Sequence, residues 1–562
     1  MKSSADDVQF RWFSAATLIL LGFAAYINSF SGGFVWDDAS SILLHKHVQD
    51  PSKIGQLFRE DLHAFGRGQG NFYRPMLAIS FMADYSRAFD GRMEGGVPQP
   101  AVFPFHLTNT ILHTGAALWL FVLLVRAGAP RFVCWAAPAL WIAHPLHTEA
   151  VAYISGRGDS MAAFFMFAAL WFGLWETSGR TRAVGVSLSA VFFLTAILSK
   201  ESALVLPFLF VPLLLWMPQF DGTPACRSTR LGRLPALGAM TALLAVYAGL
   251  RATTLNFGSD STVPEQSAVE RLLQTGQALA VYIKLIFVPI GLHMERTLDG
   301  IPAWAAFAGF AVLLGILAVV VFAVRKGQPR IAMAGAWFLI TWFPISGLIA
   351  LNAPLAEHWL YVPLAGILWM LLEFVWLACG RRPVPWPAIF AVCVCCLLLT
   401  ALTVHRNRDW RSNEALYLAT LKENPRSIRV QYNLAVTYQD LLNNPAGARR
   451  HFERVVALYR EKKTSEGLSQ SLFWDDELEA HLSLGDILSP VEPGKAMEHY
   501  AQVLSVSPDN GREGLVGMAA FGMGRCSLQL GQFEQAARFL KKAAELLPEL
   551  KGQIAEMMPG SA

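Results

Sequence analysis

The chain alternates long apolar runs with short polar breaks until about Val404, and then changes character. Eleven runs stand out: 11–30, 103–125, 132–143, 160–175, 183–198, 203–216, 235–250, 303–324, 331–350, 359–379 and 386–404. A helix needs about 20 apolar residues to cross a bilayer, so this spacing predicts an all-α polytopic membrane domain over 1–404. No small-residue cleavage site follows the first run, which therefore reads as a retained helix and not as a signal peptide.

Basic residues give the runs a direction. Lys2 with Arg11, Arg126 with Arg131, Arg180 with Arg182, Arg227 with Arg230 and Arg233, Arg325 with Lys326 and Arg330, and Arg381 with Arg382 fall into alternate breaks. Positive breaks face the cytoplasm, which puts the N-terminus inside and the residues after Val404 outside. The apolar stretch 278–291 disturbs the count, because both of its flanks must face outward and Lys284 interrupts it. It reads as re-entrant or interfacial, leaving about 11 spans.

Beyond Val404 the sequence turns polar and repeats itself. Ala520, Met523, Gly524, Ala536, Leu540, Ala543 and Pro548 occupy the small and apolar positions of a 34-residue tetratricopeptide repeat. Leu434, Ala435, Tyr438, Ala448 and Phe452 form an earlier copy, and Leu484, Gly485, Ala496, Tyr500 and Pro508 a middle one. The span 461–474 reads as an insertion. Residues 405–562 are thus expected to form a helical solenoid, which presents a groove for polypeptide.

Composition sharpens this picture. Only 16% of residues are charged, against about 25% in soluble domains. A net charge of +4 is assignable to the loops and argues against a nucleic-acid partner. The seven cysteines lack metal-ligand spacing, and Cys393, Cys395 and Cys396 fall within an apolar run.

Residues able to do chemistry gather in the outward breaks. The first, residues 31–100, opens with Ser31-Gly32-Gly33-Phe34-Val35-Trp36-Asp37-Asp38. Paired carboxylates at a membrane helix mouth are costly unless they meet water, a cation or a substrate. Asp37 and Asp38 suit a general base for an acceptor hydroxyl, or ligands for a divalent cation; a helix cap is the plainer alternative. No cofactor is required.

His144 and His147, with Glu149 nearby, have metal-like spacing, but Pro145 opposes a regular helix through them, so a hydrogen-bonding network is an equal reading. His106, Asn109 and His113 make a polar edge on an apolar run. Arg157 lies between two glycines and is followed by Asp159. Small neighbours allow a guanidinium to approach a phosphate; pairing with Asp159 is the alternative. Lys200-Glu201 and Arg74-Pro75 are either ion-pair elements or phosphate contacts.

Taken in order, these stretches resemble the transmembrane and tetratricopeptide-repeat-containing O-mannosyltransferases of the GT-C superfamily of membrane glycosyltransferases. The resemblance rests on Phe34-Val35-Trp36-Asp37-Asp38, Tyr73-Arg74-Pro75, His106-Leu107-Thr108-Asn109 and His144-Pro145-Leu146-His147-Thr148-Glu149-Ala150-Val151. Gly156-Arg157-Gly158-Asp159, Ser199-Lys200-Glu201 and Glu357 with Leu360-Tyr361-Val362-Pro363 complete it. His358 departs from the pattern, since Arg commonly follows the Glu in that family.

The resemblance implies a hexosyltransferase that moves a sugar, with inversion, from a polyprenyl-phosphate carrier to Ser or Thr of a protein. It implies Asp37 or Asp38 as the base, and Arg157, Arg74 or Lys200 as the carrier-phosphate contact. His144, His147, Glu149, His106, Asp159, Glu357 and Tyr361 would shape the sugar or acceptor site. The implied setting is a bacterial inner membrane with periplasmic repeats, or an endoplasmic reticulum membrane if the source is eukaryotic. A non-enzymatic membrane-anchored repeat scaffold for envelope proteins is the alternative.

Overall fold

The computed structural model describes residues 5–65, 71–175, 179–219, 222–224, 226–257, 267–349, 351, 353–380, 384–469, 472–509 and 511–557. Lys2, Arg381 and Arg382 of the basic clusters lie outside the described residues. The chain divides into two compact units, Met1–Leu416 and Tyr417–Ala562.

The first unit is almost wholly helical. Its elements are α1 (Ala5–Tyr26), α2 (Pro75–Ala88), α3 (Phe103–Arg126), α4 (Arg131–Ile142), α5 (Thr148–Val151), α6 (Arg157–Gly173) and α7 (Arg180–Ile197). There follow α8 (Leu206–Trp216), α9 (Arg227–Ala252), α10 (Ala268–Phe287), α11 (Trp304–Arg325), α12 (Pro329–Trp342), α13 (Pro363–Ala378) and α14 (Trp386–Asn407). Among the described residues the only sheet is the two-stranded hairpin Met93–Glu94 with Val97–Pro98.

Contacts between helix ends sort these elements. At one end Arg131 pairs with Asp7, Arg330 pairs with Glu373 at 3.0 Å, and Arg233 donates to the Met217 carbonyl at 2.8 Å. At the other, Asn407 donates to the Ala25 carbonyl at 2.8 Å, and Lys200 reaches Asp159 at 2.6 Å. Among the described residues, eleven helices, α1, α3, α4, α6–α9 and α11–α14, fall on the eleven apolar runs read from the sequence. Six candidate spans, those at α1, α3, α7, α9, α11 and α14, are long and apolar enough to cross a membrane; α4, α8 and α13 are shorter apolar helices.

Helix α10 settles the ambiguous stretch. It is one continuous helix of 20 residues, started by a capping box in which Ser267 and Glu270 satisfy each other's backbone amides. The chain does not turn back inside it, so the re-entrant alternative is set aside. Its neighbours belong to the outer end throughout. Gln277 donates to the Ile301 carbonyl at 2.8 Å, Tyr282 Oη accepts from the Ala356 amide at 3.1 Å, and the Ile286 carbonyl bonds His144 at 3.0 Å. A helix about 30 Å long thus keeps these partners at the same end of the unit as the Asn407 and Lys200 contacts.

The second unit stacks helix pairs. They are α16 (Ile428–Val436) with α17 (Pro445–Ser465), α18 (Asp475–Leu488) with α19 (Pro493–Leu504), and α20 (Glu513–Gln529) with α21 (Phe533–Leu546). α15 (Asn413–Glu423) precedes them and α22 (Lys551–Met557) follows. The repeat positions read from sequence are the packed ones: Ala435, Ala448, Phe452, Leu484, Ala496, Tyr500, Ala520, Leu540 and Ala543 are all buried. A Cβ at Gly485 would meet the Tyr500 ring at 2.5 Å, so only glycine lets α18 and α19 approach. The insertion after Glu461 is in part an extension of α17, tied down by a buried Lys463–Glu477 pair at 2.7 Å.

The contact of α10 with α11 gives a test. A Cβ on Gly309 would lie 2.0 Å from the Gly276 carbonyl oxygen, and overpacking of this kind costs about 1–3 kcal/mol. Gly309→Leu is expected to lower the melting temperature of the detergent-solubilised chain, whereas the same change at Gly315, which has open space beside it, leaves it nearly unchanged.

Candidate active site

The outer end of the helical unit collects nearly every residue singled out in the sequence, but in two different roles. After α1 the chain makes a tight excursion. His106 on α3 bonds the Gly32 carbonyl at 3.1 Å, and the Gly33 amide donates to the Arg411 carbonyl at 2.9 Å. Trp36 then adopts φ +53°, a left-handed conformation that is an outlier for a bulky residue. Its amide is held by Asn413 Oδ1 at 2.9 Å. Strain of this kind persists where surrounding bonds fix it, and it gathers at functional sites.

The strained turn separates the two acids. Asp38 is fully buried. Its Oδ2 accepts from the Val35 amide at 2.8 Å, and its Oδ1 accepts from the Ser155 amide at 2.8 Å and the Ser155 hydroxyl at 2.5 Å. Burial pushes this carboxyl up to about 7, against the pull of the Ser155 and Val35 hydrogen bonds. Asp37 is exposed. Both acids lie close enough to Tyr153 to act on it electrostatically. Asp37 is thus open to solvent, while Asp38 pins the turn that carries it.

Arg157 is not placed to hold a carrier phosphate. It is fully buried, with Nε donating to Asn109 at 2.5 Å, one terminal nitrogen to Ser80 at 3.0 Å and the other to the Phe105 carbonyl at 3.0 Å. That second nitrogen also pairs with the buried Asp84 at 2.5 Å, and the guanidinium lies over the Phe81 ring. Of the two glycines beside Arg157, Gly156 serves close packing, since a Cβ there would lie 2.0 Å from the Glu149 carbonyl oxygen. Arg74 forks onto Glu201 at 2.7 and 3.0 Å, and Lys200 pairs with Asp159. These two cations lie at the outer end but already have carboxylate partners.

The histidine motif is likewise structural. His144 caps the short turn Pro145–His147, its Nδ1 accepting from the Leu146 amide at 3.3 Å, which leaves Nε2–H to donate to Ile286. His147 is buried among Trp141, Tyr361 and His113 rings, and burial holds its imidazole well below the ordinary histidine value. Tyr361 is buried and joined to His113 at 2.5 Å. His106, His144, His147 and Tyr361 are all buried. No three His, Cys, Asp or Glu side chains form a metal-binding group among the described residues.

Glu149 is partly exposed, whereas Glu357 is buried. Glu149 pairs with His358 at 2.9 Å, so the residue that departs from the family pattern has a carboxylate partner. Glu357 accepts from the His293 amide at 2.7 Å and from Arg296 Nε at 2.7 Å. Arg406, in the last turn of α14, lies beside them: its NH1 bonds Asp409 at 2.7 Å, and NH2 is 3.9 Å from Glu357. From sequence, the stretch His293-Met294-Glu295-Arg296 counts among the outward breaks without a role for Arg296, whereas Ser155, Asp84 and Arg406 do not stand out. Arg406 falls where the composition turns polar and reads as the start of the soluble unit; Ser155 and Asp84 carry no local signal.

Two outcomes follow from these pairings. Arg157→Met leaves Asp84 buried beside one fewer cation, and breaking such a pair costs about 3 kcal/mol or more; thermal unfolding should show the loss, with Asp84→Asn in the same chain restoring part of it. Asp38 has a folded pKa of about 7 against an ordinary 3.8, so its contribution to stability is full below pH 4 and falls away as pH rises through 7. The melting temperature of wild type minus that of Asp38→Asn should therefore decline from pH 4.5 to 8. A flat difference would remove the buried protonated carboxyl.

Similarity to known proteins agrees with this layout. A tetratricopeptide repeat family matches residues 429–461, which cover α16 and most of α17. A protein O-mannosyl-transferase of Caenorhabditis elegans is 24% identical over 75% of this chain and 59% of its own length. The protein O-mannosyl-transferases TMTC3 and TMTC4 of Mus musculus are 24% and 26% identical, over 84% and 76% of this chain and 52% and 64% of theirs. The chain thus spans somewhat over half the length of these relatives. All three are animal proteins and lend no support to a bacterial inner membrane. Over most of its length the chain is thus similar to protein O-mannosyl-transferases.

Proposed function

We propose that this chain transfers a hexose, mannose in the first instance, from a polyprenyl-phosphate carrier to Ser or Thr hydroxyls of a protein on the outer side of its membrane. The observation that carries the reading is Asp37: an exposed carboxylate on a strained, pinned turn, at the end of the helical unit where chemistry-bearing residues converge. The carrier's tail belongs in the bilayer and the acceptor in water, so the reaction belongs at their boundary.

In this scheme the acceptor hydroxyl gives its proton to Asp37 as its oxygen attacks the anomeric carbon from the face opposite the phosphate. The bond from that carbon to the phosphate oxygen breaks, its electron pair leaves with the phosphate, and the configuration inverts. Asp38 positions Asp37 through the Ser155 clamp. The helical repeats recruit the acceptor polypeptide. A divalent cation near Asp37 is compatible with this scheme but has no step assigned to it.

General-base catalysis contributes about 10²–10⁴-fold. Asp37→Asn should therefore lower transfer at least about a hundredfold while the protein stays folded. Intact-mass spectrometry of proteins from cells carrying wild type or Asp37→Asn reads this out as loss of a hexose-sized mass on Ser or Thr. Identical spectra at equal protein level would overturn the catalytic role and leave the non-enzymatic scaffold.

A further inference from the structure

Behind the exposed acid lies a group of buried polar atoms that the fold itself does not satisfy. Arg406 is 5% exposed, yet its Nε and NH2 make no hydrogen bond among the described residues. Oε2 of Glu149, Nδ1 of His293 and Nε1 of the buried Trp410 are in the same condition. Buried polar groups are normally paired, and unpaired ones call for a specific explanation.

These atoms belong together. Arg406 lies against the Trp410 ring at 5.8 Å and acts electrostatically on both Glu149 and His293. Trp410 stacks on Tyr153 with ring centroids 5.0 Å apart, and Tyr153 is the residue that feels Asp37. A continuous path of contacts thus leads from the exposed acid to the unsatisfied group.

The composition of the group identifies what it would take. A phosphate accepts hydrogen bonds only, and the Glu149 carboxylate would repel it. Donors from Arg406 and Trp410 beside an acceptor on Glu149 suit a ligand whose groups both give and accept, as sugar hydroxyls do. Resting on the transferase reading above, we infer that Arg406 and Glu149 hold hydroxyls of the donor's hexose: Arg406 donates to one oxygen and Glu149 accepts from a neighbouring hydroxyl. Such a pair fixes the sugar so that its anomeric carbon faces the acceptor hydroxyl at Asp37.

The test compares two ligands on the full chain in lipid nanodiscs: polyprenyl-phosphate mannose, and polyprenyl phosphate without sugar. Losing a hydrogen bond to a charged group weakens binding about ten- to a hundredfold. Arg406→Gln and Glu149→Gln should each lose about that much affinity for the mannose-bearing carrier and bind the bare carrier as wild type does. An equal loss for both ligands would make Arg406 a phosphate contact and overturn the inference, as would no loss for either. Melting of the unliganded variants checks their folding, and Glu149→Gln carries the test alone if Arg406→Gln does not fold. Failure of the transferase reading looks different: wild type would neither transfer hexose nor prefer the mannose-bearing carrier.

Discussion

The three hydrogen bonds on Asp38 are the constraint on which the outer end of the helical unit depends. They tie the turn after α1 to Ser155, just ahead of α6, and so fix two segments more than a hundred residues apart in the chain. With Asp38 turned inward, the positive φ of Trp36 leaves its neighbour Asp37 outward. One carboxyl is desolvated and its pKa raised; its neighbour is left exposed to water. Two adjacent identical residues thus acquire opposite roles from backbone geometry alone.

The same economy of charge appears through the rest of this end. Arg157 with Asp84, Arg74 with Glu201, Lys200 with Asp159 and Arg296 with Glu357 are all paired. Deep charges tolerate burial only when their partners and remaining hydrogen bonds are supplied. Arg157 is the clearest case, since Asn109, Ser80, the Phe105 carbonyl and Asp84 together draw α2, α3 and α6 into one cluster. Its contribution is rigidity beneath the site. Arg406 stands apart because Asp409 occupies only one edge of its guanidinium.

Helix α10 shows that an apolar run of spanning length can find its partners at one end of a bundle. It is amphipathic, opens with a capping box, and bonds Ile301, Ala356 and His144 along its length. A helix that spans would meet partners from both ends of the bundle; this one meets a single end. Its Ile286 carbonyl completes the hydrogen bonding of His144, so the interfacial helix and the histidine turn stabilise each other.

The sequence by itself determined the helical class, the alternation of eleven apolar runs, the side on which the acids gather, and the repeats. Each is encoded locally, in hydrophobic period, in basic breaks or in small residues at fixed spacing. It also brought Asp37 and Asp38 forward as a pair, without separating them. Only the tertiary structure decided that Asp38 is buried, that Arg157 is consumed by Asp84 and Asn109, that His144, His147, His106 and Tyr361 are buried, and that Arg406 keeps buried donors without a hydrogen-bond partner among the described residues. Those outcomes depend on partners 48 to 117 positions away for Arg157 and Asp38, and hydrogen-bond satisfaction at that range leaves no mark on local residue order. Motif spacing names the groups able to do chemistry; whether a group is spent on the fold or left for a ligand is settled by which distant donors and acceptors reach it first.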